Sequence, residues 1–107
     1  MRRVNEAIRE SLARAVPDEV EDADLGLITI TEVDTTADLN FATVYVSVLG
    51  AEDAGEALAA LERVRVPLQR RVAREVRMKN TPKLTFARDR TAEQAVRLNA
   101  LLEDPPA

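Results

Sequence analysis

Apolar positions along this chain change their spacing several times, and each change marks an element. Val4, Ala7, Ile8, Ser11, Leu12, Ala15 and Val16 recur at three- and four-residue steps, which predicts an amphipathic helix over residues 3–16. Pro17 is expected to stop it, and the acidic run PDEVEDAD then reads as a loop. LGLITITEV, residues 25–33, alternates and is rich in β-branched side chains, which predicts a strand. After the connection TTADLN, residues 40–48 predict a second strand. Its alternation puts Ala42, Val44, Val46 and Val48 on the core face, and Phe41, Thr43, Tyr45 and Ser47 on the other.

Beyond Gly50 the helical period returns with Ala54, Ala57, Leu58, Leu61 and Val64. Pro67 interrupts it, since proline has no N–H to give and restricts the residue before it. The pattern therefore predicts two helices, 52–64 and 67–78, with a break around Arg65 and Val66 and with Val64, Val66 and Pro67 as its elements. Residues 82–88, PKLTFAR, predict a third strand. Thr91 and Gln94 form a T-x-x-Q capping box ahead of a final helix, 92–103. The order α-β-β-α-α-β-α, with three strands and helices on one face, is an α+β domain. At 107 residues it is expected to be one unit, 1–104, with a short tail at 105–107.

Composition narrows the chemistry. There is no Cys and no His, which removes thiolate chemistry and the commonest general base and metal ligand. The acids Asp18, Glu19, Glu21, Asp22 and Asp24 lack the spacing of a Ca²⁺ loop and read as a solvated segment. Nothing implies a cofactor or a catalytic carboxylate pair, so the chain is not expected to be an enzyme. No apolar run reaches the ~20 residues that span a bilayer, and MRRVNEAIRE has no apolar stretch of a secretory signal. A cytoplasmic protein without membrane contact is the expectation.

Charge adds the main functional signal. The net charge is −4, yet residues 63–79, RVRVPLQRRVAREVRMK, carry seven Arg or Lys and one Glu. The span 15–62 holds twelve Asp and Glu and no basic residue, whereas 63–83 holds eight basic residues and one acid. On a helical wheel Leu68, Val72 and Val76 make an apolar stripe, and Arg70, Arg74 and Arg77 lie opposite within about 60°. Arg63, Arg65 and Lys79 flank the stripe, and Arg71 lies near Glu75, four residues on. One reading is a solvated helix face. The other is phosphate binding, favoured because Arg outnumbers Lys six to one and makes bidentate phosphate contacts. The candidate phosphate-binding set is thus Arg63, Arg65, Arg70, Arg71, Arg74, Arg77 and Lys79. Phe41, Tyr45 and Phe86, the only aromatics, could stack bases, but read first as packing residues.

LGLITITEVDTTADLNFATVYVSVLG (25–50), EALAALERVR (56–65) and TPKLTFARDRTAEQAVRLNALLED (81–104) together resemble the ribosome-binding factor A family over nearly the whole chain. The resemblance implies a type II KH-like fold in which a helix–kink–helix replaces the GxxG loop. No such loop is present: Gly occurs only at 26, 50 and 55. It also implies a non-catalytic assembly factor, monomeric and linked to growth in the cold. Such a factor binds free small (30S) ribosomal subunits and assists late maturation and 5′-end processing of 16S rRNA. A ribosome-associated GTPase promotes its release. The sequence departs from the family at the kink, where Val64, Arg65 and Val66 stand in place of small residues and Pro67 stands where an aromatic is common. The alternative function is a protein–protein adaptor that uses the acidic half.

Overall fold

The computed structural model describes residues 2–20, 25–50, 53–89 and 91. The elements are α1 (Arg2–Glu19), β1 (Leu27–Thr35), β2 (Phe41–Leu49), α2 (Ala54–Arg63), α3 (Arg65–Glu75) and β3 (Lys83–Arg88). The final helix expected at 92–103 and the tail at 105–107 lie outside the described residues. The strands form one mixed sheet in the order β1-β2-β3, with β1 antiparallel and β3 parallel to β2. This is the α+β, KH-like order that the sequence implies.

The core lies between one face of the sheet and the helices. Ala42, Val44, Val46 and Val48 are all buried, as the β2 alternation predicts. They meet Ile8, Leu12, Ala15 and Val16 of α1, Ala57, Ala60 and Leu61 of α2, and Leu68 and Val72 of α3. A helix on a sheet needs only one apolar stripe, so the opposite face of α3 is free for charge.

Strand β1 is not a simple alternation. Ile28 and Ile30 face inward, and so do Val33 and Thr35, so the phase flips between them. A β-bulge between Ile30 and Glu32 inserts Thr31 and keeps Glu32 out of the core. Thr31 Oγ1 lies 3.2 Å from the Tyr45 carbonyl and 2.8 Å from Asp89 Oδ2, both acceptors for its hydroxyl.

Helix α1 runs past Pro17, contrary to expectation. The missing proline N–H deprives only the carbonyl of Ala13, four residues back, and Ala13 is exposed to water. The turn beyond the proline closes through the Val20 N–H on Val16 O at 2.8 Å.

Both edges of the sheet are blunted by an amide side chain. Asn5 Oδ1 on α1 accepts the Thr35 N–H of β1 at 3.1 Å. Gln69 on α3 donates through Nε2 to the Pro82 carbonyl and accepts the Leu84 N–H at 3.1 Å. Such groups would otherwise template pairing with another chain. Gln69 also fixes α3 against the start of β3. Gln69→Leu leaves two part-buried backbone groups without a protein partner. It is expected to lower stability by about 1–3 kcal/mol, read as a lower urea midpoint at unchanged m.

Candidate nucleic-acid interface

The basic segment folds as a broken helix pair. Asp53 caps α2 by accepting the Gly55 N–H at 2.8 Å. Val64 ends α2 and begins α3, with φ −102° and ψ 14°, in the sparsely populated bridge region. The break therefore falls at Val64, not at Arg65 and Val66. Val66 and Pro67 sit in the first turn of α3. The reason is the reach of proline: its missing bond and its ring act on the carbonyl four residues back, which is that of Arg63. Val64 N–H still reaches Ala60 O and Leu61 O, both at 3.2 Å, and Leu68 N–H starts the new ladder on Val64 O at 3.1 Å. Pro67 thus makes a kink without the small residues that the family resemblance would put there.

The far end of α3 also differs from expectation. The helix stops at Glu75, and Val76 is extended at φ −107° and ψ 116°. Val76 is buried and Met78 packs on the core, so the apolar period changes from four to two at this point. Met78 would lie off the apolar stripe of a continuing helix, which is the signal for the change. Arg77 and Lys79 consequently leave the helix and are exposed on the extended segment that follows. The helical Arg stripe reduces to Arg70 and Arg74, with Arg65 at the helix start and Arg63 at the end of α2.

Arg71 belongs elsewhere. Its guanidinium pairs with Asp18 Oδ2 and Glu75 Oε1, each at 2.8 Å, and ties α3 to α1. Glu75 also accepts from Arg14 and from the buried Ser11 hydroxyl, each at 2.9 Å. Arg71 first, then Arg14 and Ser11, hold the Glu75 carboxyl down to a pKa of about 2, and Glu75 and Asp18 raise that of Arg71. Arg71 is a packing clamp, so it is not a free phosphate ligand. By contrast Arg63, Arg65, Arg70, Arg74, Arg77 and Lys79 pair with no carboxylate among the described residues.

The clamp gives a pH signature. The folded pKa of Glu75 lies below its unfolded value of about 4.5, so its contribution is full above that value. It is lost as pH falls towards about 2. Wild type should exceed Glu75→Gln in stability near neutrality, and the gap should close over that window in urea titrations. A gap independent of pH would contradict the assignment.

Two shallow grooves flank the ridge made by Arg70. One, of about 560 Å³, is lined by Glu19, Pro67, Arg70, Ala73 and Arg74. The other, of about 240 Å³, is lined by Arg65, Val66, Gln69, Arg70 and Lys83. Lys83 lies beyond the segment singled out in the sequence. Its signal was present, because the basic span runs to residue 83 and Lys83 faces outward at the start of β3. Among the described residues no group of acidic side chains is placed to hold a metal ion, and no helix is long and apolar enough to cross a membrane.

As a class this is a KH-like α+β domain in which a proline-broken helix pair displays guanidinium groups that pair with no carboxylate among the described residues. The family model for ribosome-binding factor A matches residues 1–102, and the chain belongs to that family. It is 43% identical to ribosome-binding factor A of Halorhodospira halophila, across 99% of this chain and 88% of that protein. The crystal structure of ribosome-binding factor A from Thermus thermophilus superposes with a TM-score of 0.74 at 31% identity. That match covers 83% of this chain and 96% of the other. Coordinates of the T. thermophilus factor fitted into a cryo-EM map of its complex with 30S match at a TM-score of 0.62 and 34% identity. They cover 79% of this chain and 94% of that one.

Proposed function

We propose that this protein is a non-catalytic assembly factor that binds free 30S subunits and assists late maturation and 5′-end processing of 16S rRNA. The observation that carries the reading is the ridge of Arg70 and Arg74 on α3, flanked by Arg65 and Arg63, with no carboxylate partner among the described residues. Exposed guanidinium groups that are not neutralised internally suit phosphate contact. The 30S complex of the Thermus relative supports the same partner. Arg77 and Lys79 extend the charge along the segment after α3, and the domain works as a cytoplasmic monomer of residues 1–104. A ribosome-associated GTPase promotes its release. Screening beyond ~8 Å leaves the local patch in control despite the net charge of −4, and the acidic half disfavours indiscriminate coating of a polyanion.

Sedimentation with purified 30S subunits tests this. Wild type should pellet with them, and folded Arg70→Glu/Arg74→Glu should remain in the supernatant. Equal pelleting of both would overturn docking through α3. Capture of partners that survives exhaustive nuclease digestion would instead favour an adaptor that uses the acidic half.

A further inference from the structure

Strand β1 is an edge of the sheet, and most of its outward backbone groups are open. Their direction follows from the hydrogen bonds of β2. Phe41 O and Tyr45 O point towards β1, where they accept from the Thr36 N–H and the Thr31 hydroxyl. Val46 O points the other way and accepts the Asp89 N–H at 2.6 Å. Backbone direction alternates along a strand, so the β1 groups that pair with β2 belong to Thr29, Glu32 and Asp34, opposite Ser47, Tyr45 and Thr43. Those of Ile28, Ile30, Val33 and Thr35 point away from the sheet. Asn5 Oδ1 takes the Thr35 N–H at 3.1 Å. The outward groups of Ile28, Ile30 and Val33 meet no hydrogen-bonding partner among the described residues. Such a row is a template for a further strand.

Two hollows lie along this edge, between β1 and α1. One, of about 160 Å³, is apolar and is lined by Val16 and Pro17 of α1, Val20 just after it, and Leu27 and Ile28. The other, of about 420 Å³, is lined by Arg2, Glu6 and Arg9 of α1 and by Thr31, Glu32 and Val33. Glu6 pairs with Arg9 at 2.9 Å, so the charges on its helix side are largely balanced, with Arg2 left over. The hollows are about 15 Å apart along β1, the length of one short strand. The sheet face turned away from the helices is acidic here. Glu32 and Asp34 are both exposed on it, two residues apart, and form no ion pair among the described residues. No cation is near them in sequence, because residues 15–62 hold twelve acids and no Lys or Arg.

We propose that the β1 edge binds an extended basic segment of a protein as a fourth strand, whose Lys or Arg side chains meet Glu32 and Asp34 while an aliphatic side chain enters the hollow at Leu27 and Ile28. Side chains of an added strand alternate between the two faces, so one segment satisfies both demands. Main-chain bonds to Ile28, Ile30 and Val33 supply affinity, and the alternating side chains supply specificity. Asn5 already holds the Thr35 amide, so the added strand ends there and its register is fixed. RNA does not suit this edge: Glu32 and Asp34 repel phosphates, and RNA cannot continue a backbone ladder. A second copy of the chain does not suit it either, since β1 carries Glu32 and Asp34 and no cation to face them. The surface is separate from α3, so it goes beyond the rRNA reading and does not depend on it.

The probe is a fluorescein-labelled peptide of about ten residues in which Lys alternates with Val and Thr, titrated into the purified protein at low salt. Its anisotropy should rise, and amide hydrogen exchange should slow at Ile28, Ile30 and Val33. The same peptide N-methylated on the alternate amides that face β1 should bind at least about tenfold more weakly, the effect of losing two or three backbone hydrogen bonds. Glu32→Lys/Asp34→Lys should weaken binding of the unmodified peptide roughly 5- to 30-fold, at an unchanged urea midpoint because both carboxylates stand in water. Arg70→Glu/Arg74→Glu should bind the peptide as wild type does, so this site and the RNA ridge fail separately. No binding of the Lys peptide, equal binding of its N-methylated form, or unchanged exchange at the three amides would overturn the proposal. Protection of those amides on concentrating the protein alone would make a second copy the occupant. Protection by an unpaired RNA would make the edge a nucleic-acid surface. Either result would also overturn it.

Discussion

Arg70→Glu/Arg74→Glu is expected to weaken binding to 30S subunits by at least about a hundredfold at moderate salt. A hydrogen bond to a charged group contributes about 1.5–3 kcal/mol, or roughly tenfold or more for each Arg, and each reversal adds repulsion from the phosphates. The salt dependence separates this from a folding defect. With ~4–6 phosphate contacts, log affinity against log salt should slope at about −3 to −5 for wild type. The double variant should be shallower by about 1.5–2, one contact for each lost cation. Arg71→Ala provides the contrast. That guanidinium is spent on Asp18 and Glu75, so the slope should stay at the wild-type value while stability falls. An identical slope in wild type and the double variant would place the RNA contact away from α3.

The contrast between Arg70 and Arg71 shows where sequence reading stops. Neighbours in a basic run look alike on paper, and a helical wheel gave Arg71 only one partner, Glu75. Its second partner, Asp18, comes from a helix 53 residues away, and that contact exists only after α1 packs on α3. The strands were more legible. A period of two with β-branched residues can be satisfied in few ways, and β2 buries the four positions its alternation marks. Where the period shifted, boundaries moved: the bulge at Thr31 rephases β1, and the change at Val76 shortens α3 and takes Arg77 off the ridge. The two prolines were read locally, although proline acts on the carbonyl four residues back. At Pro17 that carbonyl faces water and the helix continues; at Pro67 the chain breaks at Val64.

That break and the ridge are held in place by Leu68, and Leu68→Ala is expected to be the most damaging single truncation in α3. The side chain is fully buried, one residue after the proline and one turn before Val72, which is also fully buried. Truncation removes transfer energy and leaves a cavity, which together cost about 2–5 kcal/mol. A domain of this size has only about 5–15 kcal/mol in total, so the fraction unfolded should rise sharply near 37 °C. Arg70→Ala, on the exposed side of the same helix, should change stability by about 0.5 kcal/mol or less. Binding should respond in the opposite sense. Below its melting range Leu68→Ala should retain the wild-type salt slope, because the folded fraction still presents Arg70 and Arg74, while Arg70→Ala should lose about one contact. Urea unfolding and salt-dependent 30S binding on the two variants measure both halves of the claim. A stable Leu68→Ala would mean that α3 is not anchored by its apolar stripe. A Leu68→Ala with an altered slope would mean that the ridge is not a rigid part of the fold.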